Sequence, residues 1–176
     1  MSAKPRANGP GTQTGNVIRD SAMGLVPETV SEIITLNSHV WRESLVPPTL
    51  LEIIRLRNAR TVNCVFCKSV RYDVARNDGL TEDRAEMVAD GYAESALSDR
   101  EKRAIMLADS YLGFPAGVNA FAAEQITAEF APDEIASMLV ALMTFNFTSR
   151  MAVSIGGMPE DGTLPIMEVS IAISAG

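Results

Sequence analysis

The chain has 176 residues, 47% of them apolar, with a formal charge of −7 and a pI near 4.7. That length and apolar content suffice for one compact core. The acidic balance excludes the basic face that nucleic acid or an anionic membrane would require of a partner.

Residues 1–16 (MSAKPRANGPGTQTGN) hold no apolar segment, so they read as a disordered tail without a secretory signal. The longest apolar run, Met138 to Phe145, is far too short to span a bilayer. A cytoplasmic location is expected. From residue 17 to residue 156 apolar residues recur at helical spacing and strand-like alternation is nearly absent, which predicts a single all-α domain over 17–156. Pro27 to Arg42 carries a stripe of Val30, Ile33, Ile34, Asn37 and Trp41. Pro47-Pro48 ends that segment, and Thr49 to Arg60 forms the next helix. A third is expected from Cys64 to Arg76, behind the preferred N-cap Asn63 and closed by Asn77-Asp78-Gly79. Shorter helices follow from Thr81 to about Asp90 and near Asn119–Phe130. Between them, Ser98 and Glu101 form a capping box for a helix reaching about Leu112. Pro132 sits in the first turn of a long apolar helix ending near Ile155. Gly156, Gly157, Pro159, Gly162 and Pro165 exclude helix until Ile166, after which Val169, Ile171 and Ile173 alternate with polar or small residues. Residues 157–176 therefore read as an extended arm, which either covers a neighbouring protomer or stays a disordered tail.

Cys64 and Cys67 are the only cysteines. At i and i+3 on a helix their Cβ atoms lie about 5–6 Å apart, within reach of a disulfide. The first turn of a helix also favours thiolate over thiol. In a reducing compartment an isolated CxxC is more often redox-active or metal-binding than structural. Zinc needs four ligands, and no second CxxC, CxxH or HxxH is present; the single His39 does not supply one. Redox use is favoured over two inert buried cysteines, and no metal, flavin, haem or nucleotide cofactor is called for. If the second and third helices form a hairpin, Glu52 and Arg71 each lie about 12 Å from its turn. Arg71 then shares a face with Cys67 at i+4, giving the order Glu52–Arg71 pair, Cys67, Cys64 from inside outward.

Glu52, eleven intervening residues and Cys64-x-x-Cys67 resemble the alkyl hydroperoxidase D-like branch of the carboxymuconolactone decarboxylase superfamily. Pro47-Pro48, Leu56-Arg57-x-Ala59, Gly79-Leu80-Thr81-Glu82, Ser98-Asp99-Arg100-Glu101 and Asn146-x-x-x-Arg150 add to the likeness, over about Leu45 to Gly156. The resemblance implies an all-α helical-hairpin bundle assembled as a homo-oligomer, often a trimer or hexamer. It implies thiol-dependent reduction of a peroxide or disulfide substrate, with a dithiol protein or small thiol as reductant. Cys67 matches the deeper, peroxide-attacking sulfur, Cys64 the resolving one that meets the reductant, and Glu52 the acid of a proton relay. One position departs: where the family has histidine four residues after the second cysteine, this chain has Arg71, which cannot act as a base. Phe66 stands between the cysteines, where some relatives have histidine. Arg71 either stabilises a Cys67 thiolate or merely pairs with Glu52. Lyase chemistry like that of the family's namesake, and a non-catalytic oligomeric role, are the alternatives. His39 reads as an exposed helix residue rather than a displaced base, and Arg55, Arg57 and Arg60 as a solvated or intersubunit basic cluster. Asn146 and Arg150 read as bonding to a neighbouring helix.

Overall fold

Pro27, Pro48 and Pro132 each open a helix, since proline supplies the right φ and its missing N–H costs nothing in the first turn. The computed structural model describes residues 4–157, 159 and 161–171, and these are mostly helical. The helices are α1 (Val17–Asp20), α2 (Pro27–Arg42), α3 (Pro48–Thr61), α4 (Val65–Ser69), α5 (Asp73–Asn77), α6 (Glu82–Glu86), α7 (Asp99–Leu112), α8 (Ala120–Glu129) and α9 (Pro132–Ile155). A short 3-10 turn (Ala22–Leu25) joins α1 to α2. The capping box at α7 forms as its sequence predicts: Glu101 Oε2 accepts the Ser98 N–H at 2.7 Å and Ser98 Oγ accepts the Glu101 N–H at 3.3 Å.

The centre of the molecule is α3, which packs against α7 and α9 and also meets α4 and α5. Its buried residues include Leu50, Leu51, Ile53, Ile54, Leu56 and Ala59, so it is covered all round and shows no one-sided stripe. α9 is long and apolar enough to cross a bilayer by length and composition, although no unbroken apolar run within it is. Its Met138, Ala141, Leu142 and Phe145 lie in the protein core instead. A smaller cluster of Met23, Val30 and Ile34, with Met151 and Ile155 against it, ties α2 and the N-terminal turn to the end of α9.

The expected helix Cys64–Arg76 is interrupted. α4 ends at Ser69, and Val70–Tyr72 is a strand, β1, before α5 begins. β1 pairs in parallel with β2 (Met167–Val169), in the register Val70↔Met167, Arg71↔Glu168 and Tyr72↔Val169. The described residues of the C-terminal arm thus dock on their own chain, and Ile171 is buried in the main core. Ile173 lies outside the described residues. The helix expected to reach Asp90 is also shorter, ending at Glu86. At the other terminus, the Arg6 N–H donates to Ile155 O at 2.7 Å and Asn16 caps α1.

Candidate functional site

The two cysteines sit where α3 turns into α4. Asn63 takes a left-handed conformation (φ 56°), which asparagine tolerates better than most residues, and the Cys64 N–H closes the turn on Ala59 O at 2.9 Å. That shifts the helix start by one residue from the sequence expectation: Cys64, not Asn63, is the N-cap, and its Sγ accepts the Cys67 N–H at 3.2 Å. Cys64 and Cys67 are joined by a disulfide with Cα atoms 5.2 Å apart.

Their depth is the reverse of the expected order. Cys64 is 0% exposed, packed with Val65 and with Ala152, Val153 and Leu164 against it. Cys67 is half-buried and lines a cavity of about 510 Å³. The cavity lies between α2, β1, the end of α9, the N-terminal segment and the C-terminal arm. Ile34, Phe66, Val70 and Phe145 give it an apolar wall, on which Asn37, Arg55, Tyr72 and Thr148 are polar.

Glu52 and Arg71, predicted as a pair, do not meet. Glu52 is fully buried and bound instead by Arg55 one turn along α3, through Nε to Oε2 at 2.6 Å and Nη2 to Oε1 at 2.7 Å. Burial opposes the Arg55 charge, but the Glu52 carboxylate outweighs it and leaves the guanidinium pKa raised. The same fork donates from Nη1 to Cys67 O at 2.7 Å and from Nη2 to Val70 O at 2.6 Å. In an unbroken helix, Cys67 O would accept from the N–H of residue 71 and Lys68 O from that of residue 72. Here Arg55 takes the first, Arg71 Nη1 takes the second at 2.6 Å, and the Tyr72 N–H turns to Glu52 Oε1 at 3.4 Å. Two buried guanidiniums thus satisfy the carbonyls that the helix break exposes, and this explains why the break is tolerated.

Once residues 70–72 are a strand, alternation decides which side chains see the cavity. Val70 and Tyr72 line it, while Arg71 points to the opposite face, where it is 1% exposed and 3.0 Å from Glu82. The i, i+4 relation to Cys67 is lost with the helix. Replacing Arg71 with Met should therefore lower stability by about 1–3 kcal/mol, through the unpaired Lys68 carbonyl and the lost Glu82 contact. It should leave the accessibility of Cys67 to iodoacetamide after reduction unchanged; a large fall in alkylation rate would return Arg71 to the site.

His39 is exposed, with Nδ1 3.1 Å from Thr35 O. The arginines expected as a surface or intersubunit cluster are paired within the chain. Arg55 holds Glu52, Arg57 reaches Asp109 at 2.5 Å and Asp90 at 2.9 Å, and Arg60 reaches Glu86 at 3.0 Å. Asn146 Nδ2 donates to Asn58 Oδ1 at 2.8 Å, Asn58 Nδ2 donates to Ser149 Oγ at 3.0 Å, and Arg150 Nε donates to Asn146 Oδ1 at 2.9 Å. This is the helix-to-helix bonding expected of that motif.

Residues 27–110 match the carboxymuconolactone decarboxylase family. That stretch is just under half of the 176 residues. Two uncharacterised Mycobacterium tuberculosis proteins, MT2376 and Rv2313c, are each 30% identical over 117 residues. That stretch is 66% of this chain but only 41% of either relative. A protein of unknown function from Agrobacterium tumefaciens, provisionally assigned to antioxidant defence as an AhpD, shares the fold in its crystal structure. The TM-score is 0.69 at 22% identity, over 86% of this chain and 95% of that one. Arg55 and Tyr72 are the site residues that sequence reasoning missed. Arg55 left one signal, its i, i+3 spacing from Glu52; Tyr72 left none, because its place depends on a strand formed with residues 97 positions away.

Proposed function

We propose that the Cys64–Cys67 pair performs dithiol–disulfide exchange on a substrate held in the cavity, reducing a hydroperoxide or a disulfide. The observation that carries this reading is a bonded CxxC whose Cys67 opens onto a cavity of about 510 Å³ while Cys64 is sealed behind it. In the reduced protein the Cys67 thiolate attacks the outer peroxide oxygen, the O–O bond breaks, and Cys67 becomes a sulfenic acid while an alkoxide departs. The Cys64 thiol then displaces the hydroxyl of that sulfenic acid, forming the disulfide and water. Two electrons pass from the two thiols to the peroxide. Because Cys64 is covered, the reductant meets Cys67 through the cavity, which favours a small thiol or a slender dithiol arm. This differs from the order the family resemblance implies. Arg71 serves structure, and Glu52 with Arg55 holds the Cys67 and Val70 backbone in place. A homo-oligomer in the cytoplasm is part of the same proposal.

Lyase chemistry of the namesake kind is the second reading. It is less well supported, since the chain's single histidine lies on the surface, bonded to its own helix.

Alkylation mass spectrometry tests the proposal. The reduced protein should take two alkyl groups on the Cys64–Cys67 peptide and, after one equivalent of peroxide, none, with a mass lower by two hydrogens. Full alkylation after peroxide treatment would reject it.

A further inference from the structure

The interrupted helix brings a phenol to the cavity that Cys67 lines. Tyr72 lines the same cavity as Cys67, and Arg55 bridges their surroundings: its Nη1 donates to Cys67 O at 2.7 Å while its Cζ lies 5.6 Å from the Tyr72 ring centroid. The ring also stacks on Trp41, at 4.3 Å between centroids. Tyr72 Oη accepts from Asn37 Nδ2 at 3.4 Å, and no acceptor for the phenol's own proton is found among the described residues. The ring is thus held on a residue that lines the same cavity as Cys67. Neither of the two ionisable groups expected in the relay lines the cavity, as Glu52 is buried beneath Arg55 and Arg71 faces Glu82.

We propose that Tyr72 is the hydrogen-bond and proton donor to the oxygen that leaves when Cys67 attacks a hydroperoxide. The assignment rests on the peroxide-reducing reading above. As the O–O bond breaks and the S–O bond forms, the departing alkoxide takes the phenolic proton and leaves as an alcohol. The tyrosinate regains a proton from the Cys64 thiol, which is thereby activated to attack the Cys67 sulfenic acid. The hydroxide released in that step is neutralised by the proton Cys67 gave up on ionising, so two thiols and one hydroperoxide yield a disulfide, an alcohol and water. Burial raises the phenol's pKa, with the Arg55 charge opposing, so it stays protonated until used. Transfer remains downhill, because an alkoxide or hydroxide is a far stronger base than a tyrosinate.

The Tyr72→Phe substitution removes one oxygen and keeps the ring on Trp41. Reduced wild type and variant are compared with tert-butyl hydroperoxide, whose leaving alkoxide needs a proton, and with peracetic acid, whose leaving acetate needs none. The expected result is a fall of about 10²-fold with the hydroperoxide, in the range of a lost general acid, and a rate within about threefold of wild type with the peracid. The retained peracid rate shows that the variant is folded and its Cys67 still nucleophilic. An equal loss with both oxidants, inactivity included, or no loss with either, overturns the role of Tyr72 alone. A wild type that consumes neither oxidant overturns the peroxidase reading and this assignment with it.

Discussion

Replacing Arg55 with Met is expected to lower the unfolding free energy by about 3–5 kcal/mol, the usual consequence of removing one partner from a buried ion pair. Glu52 is fully buried and both its oxygens are bound by Arg55, so the variant leaves a carboxylate with only the distant Tyr72 N–H as donor. The Cys67 and Val70 carbonyls lose their donors in the same step. Urea denaturation with the disulfide intact measures the effect. Replacing both residues, Glu52→Leu with Arg55→Met, should recover part of it, because neither charge of the pair then remains buried, and the double-mutant cycle should give a coupling above about 1 kcal/mol. An Arg55→Met protein within about 1 kcal/mol of wild type would mean that water reaches Glu52 and the pair does not hold the broken helix.

The sequence made legible what rests on local chemistry. Ser98 and Glu101 cap α7, Pro27 and Arg42 bound α2, and Asn146 with Arg150 ties α9 to α3, each read from residues within one or two turns. The site was legible only as far as its two cysteines and Glu52. What failed was the assumption that helical pattern at Val70, Val74 and Ala75 meant one continuous helix. Those positions would also suit a helix, but β1 is fixed by a partner at 167–169 and by the Arg55 guanidinium on Val70 O, neither of which a local window contains. The misplacement of Arg71, Tyr72 and Arg55 follows from that one break. The break turns Arg71 away, brings Tyr72 in, and leaves Arg55 as Glu52's only close cation among the described residues.

The exchange of depth between the cysteines gives the second large effect. The Cys67→Ser variant should lose peroxide consumption by at least about 10³-fold, since no second thiol is among the described residues that line the cavity. The Cys64→Ser variant should behave differently: it should take up one equivalent of peroxide and stop as a Cys67 sulfenic acid, detectable with a cyclic diketone probe. With a small thiol added it should then turn over through a Cys67 mixed disulfide, because the reductant enters from the cavity rather than through Cys64. Sulfenic acid on Cys64 in the Cys67→Ser variant, formed as fast as on Cys67 in its counterpart, would reverse the assignment. For that to happen Leu164 and Val153 would have to uncover a sulfur that is 0% exposed, with the arm leaving β1. Access, rather than the hydrogen bond that Cys64 Sγ receives from the Cys67 N–H, therefore decides which sulfur meets the oxidant first.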